Sequence, residues 1–294
     1  MKNSESLLIP IRGLQYHARV WGAAGDPPLF MLHGFQDASA SWQFTVDELQ
    51  GRFRVIAPDW RGYGESAWSG QETYWTADFI ADLDALLDHF EPEHPVDIVG
   101  HSMGAHVASF YAGVVPDRVR RFVNIEGLGP ADSLPDEMPR RLARWLRQIH
   151  APEEQRPYDS FEEFAERLSA ENPHITPDRA LFLARHWGKE APEGGVIRRA
   201  DPAHKVIRPV LFRADEAIAC WRRIKAEVLW VEGAESESIE ALRREPGGYD
   251  ERLAAFQTLV GVERIADAGH NVQHDQPEKL AALIDRFMQP QGLR

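Results

Sequence analysis

Short apolar runs, each closed by a turn or polar residue, recur along the chain. LLIPI (7–11) and YHARV (16–20) flank Gly13 and predict an opening hairpin. PLFML (28–32) stops at His33-Gly34, FRVIAP (53–58) at Asp59, VDIVG (96–100) at His101-Ser102 and FVNI (122–125) at Glu126. EVLWV (227–231) stops at Glu232-Gly233, and VERIA (262–266) ends shortly before His270. Between several of these runs the period lengthens. TADFIADLDALLDHF (76–90) sets Phe79, Leu83, Leu86, Leu87 and Phe90 on one helical face, and 103–115 and 277–288 behave alike. Eight strand-like runs alternating with helices predict an α/β fold, a mostly parallel sheet with helices on both faces. The chemically interesting residues fall just past strand ends, at the carboxyl edge where open α/β sheets bind ligands.

The alternation breaks between 128 and 221. Three charged amphipathic stretches, 137–150, 160–171 and 177–189, stand there between Pro-rich joints. They predict a helical insertion after the sixth strand, dividing the chain into 1–127, 128–221 and 222–294. Arg140 and Arg141 read as the solvated face of that insertion. No internal repeat or low-complexity tract is visible.

Composition narrows the partners. The 294 residues carry 46 Asp and Glu against 33 Lys and Arg, a net charge of -13, which disfavours a nucleic-acid partner or docking on an anionic membrane. The lone cysteine, Cys220, stands among Ile218, Ala219 and Trp221 and reads as a small core residue. One cysteine excludes an intramolecular disulfide and fits a reducing compartment. With no apolar signal-like segment and no run near 18 apolar residues, a cytoplasmic location is expected.

Gly100-His101-Ser102-Met103-Gly104 fits G-x-S-x-G, with a strand before it and a helix after. Glycines at both ends permit a tight strand-to-helix turn, with the Ser102 hydroxyl held at a helix N-terminus. A serine hydroxyl needs a base. His270 follows the last strand in a loop, and His274, nearer the final helix, is its competitor. Amides of Phe35 and Met103 would form an oxyanion hole, with His33 holding its loop in place.

Together His33-Gly34-Phe35, Asp59-Trp60-Arg61-Gly62-Tyr63-Gly64-Glu65-Ser66, Gly100–Gly104 and Gly269-His270 resemble the α/β-hydrolase family, in its capped, carboxylesterase-like form. The resemblance spans nearly all of the chain outside 128–221. It implies an eight-stranded sheet with a helical lid inserted after strand six. It also implies a triad acid, most often an Asp three residues past a Gly after the seventh strand. Here that position is Ser236, between Glu235 and Glu237. Some capped members, resembling certain haloalkane dehalogenases in this respect only, carry a Glu after strand six, where Glu126 stands. Glu126 is the first choice for the acid, with Glu235 and Glu237 as alternatives, and a structural carboxylate at the hinge as its simpler reading.

Haloalkane dehalogenases and epoxide hydrolases of this fold attack with Asp, so Ser102 argues against both chemistries. A serine nucleophile implies an acyl-enzyme from a small or medium carboxylic ester, thioester or lactone. The same triad on this fold would also serve carbon–carbon bond hydrolysis, and a decayed triad would leave a non-catalytic ligand-binding protein. Trp60, Trp145, Trp187, Trp221, Phe182 and Phe35 are expected to line an apolar substrate pocket. No metal-ligand spacing or phosphate-cradling glycine loop is present, so no cofactor and no metal are expected.

Overall fold

The computed structural model describes residues 1–152 and 154–289. The chain opens with β1 (Glu5–Ile11), β2 (Leu14–Trp21), β3 (Pro28–Leu32), α1 (Gln43–Glu48) and β4 (Arg54–Pro58). It continues with α2 (Thr76–Phe90), β5 (Val96–His101), α3 (Met103–Val114) and β6 (Val119–Ile125). Then come α4 (Met138–His150), α5 (Phe161–Glu171), α6 (Pro177–Trp187), β7 (Gly188–Glu190), β8 (Val196–Arg198) and α7 (Ala214–Trp221). The last stretch holds β9 (Glu227–Gly233), α8 (Glu237–Arg244), α9 (Asp250–Ala254), β10 (Leu259–Ile265), α10 (Val272–Asp275) and α11 (Pro277–Met288).

Eight strands form one sheet in the order β1-β2-β4-β3-β5-β6-β9-β10. β2 runs antiparallel to both its neighbours, and every pair from β4 to β10 is parallel. Strand alternation builds two cores. Phe30, Ile56, Ile98, Phe122 and Trp230 face one side with α2, α3 and α7. Leu29, Val55, Val99, Val123 and Val231 face the other with α1 and α11. Central strands buried on both faces therefore read as continuous Val, Ile, Leu and Phe runs.

The segment between β6 and β9 has a small core of its own, in which Phe164, Leu168, Ile175, Ala180, Leu183 and Val196 pack together. Ser160 and Thr176 cap α5 and α6 through their side chains, and Pro177 opens α6, where its missing N–H costs nothing. Helices were the only elements expected here. The structure adds the antiparallel β7–β8 ribbon, whose three-residue strands are too short to show a period. α4 differs from its neighbours in burying none of its residues. Among the described residues no helix is long and apolar enough to cross a membrane.

Candidate active site

Four strand ends converge on one cleft. β5 delivers Ser102, β6 delivers Glu126, the loop after β3 delivers Phe35, and the loop after β10 delivers His270. Ser102 sits at φ 49°, ψ -114°, a conformation a non-glycine residue holds only when its surroundings force it. A Cβ on Gly104 would lie 2.4 Å from the Leu32 carbonyl oxygen, and one on Gly34 would lie 2.7 Å from His101 Nδ1. Only glycine lets the β3 loop and the Ser102 turn approach this closely.

Ser102 Oγ lies 2.9 Å from His270 Nε2, and His270 Nδ1 lies 2.6 Å from Glu126 Oε2. The Glu126 side chain is fully buried, whereas that of His270 is one-third open to the cleft (33 %). Glu126 itself adopts φ 55° at the end of β6. A buried carboxylate must be compensated, and each oxygen is. Oε1 accepts from the Gly233 amide at 2.8 Å, and Oε2 accepts from the Ser236 hydroxyl at 2.6 Å and faces His270. Ser236 also caps α8 through the Ile239 amide.

The other carboxylates weighed as the acid lie elsewhere. Glu235 is exposed and reaches His174 at 3.4 Å, while Glu237 starts α8 in the solvent-facing first turn. His274 is buried 3.7 Å from Asp37 and is not brought to Ser102.

Phe35 and Met103 border the cavity beside Ser102, and no hydrogen bond within the described chain occupies either amide. The β3 loop is clamped from below. His33 bonds the Gly34 carbonyl through Nδ1 and accepts the Trp60 amide at Nε2, 3.0 Å away, and Trp60 Nε1 donates to the His33 carbonyl. Asp59, held well below the usual carboxylate range by its bonds to His17 and the Glu65 amide against the cost of burial, ties the same region together. Arg61 and Asp82 add a buried ion pair.

Two of the residues that position His270 carry no motif signal. His101, the variable position of G-x-S-x-G, donates to the His270 carbonyl through Nε2 at 2.9 Å and accepts from Gln273 at Nδ1. Burial, reinforced by His270 and His274, pushes its pKa well below the usual imidazole value, so it stays neutral and keeps this donor–acceptor pattern. Only its position next to Ser102 could have marked it.

The cavity at Ser102 measures about 430 Å3. Phe79, Val107, Pro130, Ala131 and Leu242 make it largely apolar. The tryptophans expected there do not border it. Trp60 is wholly buried under His33. Trp221 stacks on Phe256 in the main core at 5.3 Å. Trp145 donates to Thr73, and Trp187 donates to Ser41. Phe182 packs on Phe44 at 5.1 Å. Of the aromatics expected, Phe35 alone lines the cavity, because the indoles are used to fasten loops and layers together.

Buried imidazoles make stability acid-sensitive. Desolvation holds His33 down at about 4, and His106 and His274 at about 3. Unfolded, each would titrate near its ordinary value of about 6.5, so the unfolded chain takes up more protons below that pH. Their contribution is present above pH 6.5 and is lost as pH falls toward 4. Asp37 opposes this: burial raises it to about 7, so its contribution is lost as pH rises from about 4 to 7. The imidazoles outnumber it. The urea midpoint is expected to be higher at pH 7 than at pH 5; an equal or lower midpoint would mean that Asp37 outweighs them.

A family model described as the alpha/beta hydrolase fold matches residues 27–277. A serine hydrolase-like protein of Danio rerio is 24% identical over 97% of this chain and 88% of its own length. Epoxide hydrolase 4 of Mus musculus is 35% identical, over 38% of this chain and 32% of its own. The solved thioesterase domain from the curacin biosynthetic pathway superposes with a TM-score of 0.85 at 22% identity, over 96% of this chain and 99% of that one.

Proposed function

Because the chain belongs to the α/β-hydrolase fold family, we propose that it is a serine hydrolase cleaving a carboxylic ester or thioester through an acyl-enzyme. The observation that carries this reading is the continuous chain Ser102 Oγ, His270 Nε2, His270 Nδ1, Glu126 Oε2, with contacts of 2.9 and 2.6 Å.

In the first half-reaction His270 takes the Ser102 proton as Oγ attacks the acyl carbon. The developing oxyanion is received by the amides of Phe35 and Met103. His270 then gives the proton to the leaving oxygen or sulfur, the acyl–heteroatom bond breaks, and the acyl group remains on Ser102. Water repeats the cycle: His270 takes its proton, the hydroxide adds to the acyl carbon, and the proton returns to Oγ as the acid departs. Glu126 fixes the proton on Nδ1 and balances the imidazolium that forms. The segment between β6 and β9 acts as the lid.

The epoxide hydrolase likeness covers only part of the chain, and attack on an epoxide in this fold relies on an Asp where Ser102 stands. The reading is tested by offering 4-nitrophenyl butyrate and styrene oxide side by side. Release of 4-nitrophenol with saturation kinetics, and no diol, is expected. Diol without 4-nitrophenol would reverse the assignment.

A further inference from the structure

The cleft extends past Ser102 into a second compartment of about 610 Å3, which shares Phe35, Thr76, His106, Pro130, Ala131 and Arg208 with the first. Four cationic side chains border it: Arg141, Arg144, Lys205 and Arg208. Arg141, expected on a solvated face, is turned into this space instead. It lies one helical turn from Arg144 on α4, so both occupy one side of that helix.

Their convergence on one space without a carboxylate is what needs explaining, since single cations without an ion pair among the described residues, such as Arg140 and Arg147, occur elsewhere on the chain. Acidic residues outnumber basic ones by 46 to 33. Arg61, Arg118, Arg120, Arg199 and Arg243 each find a carboxylate. Among the described residues no carboxylate lies within 4 Å of any of the four cations in the compartment. Arg208 donates to the Thr76 hydroxyl, and Arg141 donates to the Arg208 carbonyl at 3.3 Å. Two guanidinium groups are thereby held in one pocket, and desolvation, with repulsion from Arg141, lowers the Arg208 pKa. Like charges converging on a concave space, with Arg144, Lys205 and Arg208 still reaching solvent, focus a positive field on it. Such a space is stabilised by an anion, and a guanidinium fork suits the oxygens of a carboxylate or phosphate.

We propose that the second compartment binds an oxyanionic group, a carboxylate or a phosphate, carried by the substrate whose acyl carbon sits at Ser102. Arg208, which borders both compartments, is the residue that sets this preference. The inference rests on the hydrolase reading and narrows its substrate class to esters or thioesters with an anionic substituent.

The test compares 4-nitrophenyl hexanoate with two anionic esters. One is the mono-4-nitrophenyl ester of hexanedioic acid, with its carboxylate on the acyl side. The other is 4-hexanoyloxybenzoate, with its carboxylate on the leaving group. For at least one of them kcat/KM is expected to exceed the neutral ester's by tenfold or more. That ratio should shrink in 0.5 M salt, fall toward one in Arg208→Gln and be partly kept in Arg208→Lys. Calorimetric binding of the corresponding uncleaved anilides (hexananilide, the monoanilide of hexanedioic acid and 4-hexanamidobenzoate) should show the same order. If no ester is cleaved but an anionic anilide binds at least tenfold tighter, the hydrolase reading falls and the anion site stands. If neither anionic compound is preferred in cleavage or binding, or if the preference survives Arg208→Gln, the anion site is overturned.

Discussion

Replacing Ser102 with Ala is expected to lower kcat for an aryl ester by roughly 10^5–10^6-fold, leaving the slow turnover that an oxyanion hole and binding alone provide. The size follows from the sharing of one reaction between Ser102 and His270: without the nucleophile, the base has no proton to move in acylation. Folding should be little affected. Ser102 Oγ has one partner, His270 Nε2, on a side chain open to the cleft, and the turn is held by backbone bonds from the Ser102 amide to the Ile125 carbonyl and from the His106 amide to the Ser102 carbonyl. The measurement is the steady-state rate of Ser102→Ala beside its urea midpoint. A variant that kept most of its activity would remove Ser102 from the chemistry.

Glu126→Gln is expected to lower kcat by roughly 10^3–10^4-fold while preserving side-chain volume. One amide oxygen can still accept from Gly233, where Glu126 Oε1 accepts at 2.8 Å. The amide nitrogen then occupies the Oε2 position, facing both the Ser236 hydroxyl and His270 Nδ1. It donates where the carboxylate accepted. His270 Nδ1 becomes the acceptor, its proton moves to Nε2, and Nε2 can no longer take the proton of Ser102. The control is Glu235→Gln, which disturbs only an exposed contact to His174 and is expected to change kcat less than twofold. Equal losses in the two variants would return Glu126 to a structural role.

How much of this was legible beforehand depended on whether a residue's role is local. The Ser102 turn is local: a strand, two glycines and a helix within a few residues, so position, neighbours and conformation follow from one stretch of sequence. The contact between His270 and Ser102 was legible in that His270 follows a strand, although preferring it to His274 needed the chain path that carries His274 beside Trp187 and Asp37. The carboxylate that meets His270 was ambiguous in the sequence because Ser236 stands where an Asp was expected. The reason lies in packing between distant segments: the Ser236 hydroxyl and the Gly233 amide, more than a hundred residues away, satisfy Glu126. Tryptophan roles were not legible at all. A large aromatic has the same sequence pattern whether it lines a cleft or pins a loop, and only its contacts distinguish the two: a backbone carbonyl on the N–H of Trp60, a hydroxyl on those of Trp145 and Trp187, and the Phe256 ring against Trp221.

The carboxyl edge of the sheet accounts for the rest. The parallel order of β3, β5, β6 and β10 brings Phe35, Ser102, Glu126 and His270 together at one edge of the sheet. The segment between β6 and β9 borders the same cleft with Arg141 and Arg144 on α4 and Lys205 and Arg208 after the ribbon.

If His270 and Glu126 activate Ser102 as a nucleophile, Ser102 reacts with a phosphonylating agent and no other serine does. The most direct test is intact mass after treatment with a fluorophosphonate, followed by peptide mapping of the adduct. One adduct per chain is expected, located on Ser102 and formed much more slowly in Glu126→Gln. An unmodified wild-type protein, or an adduct on any other residue, would contradict it.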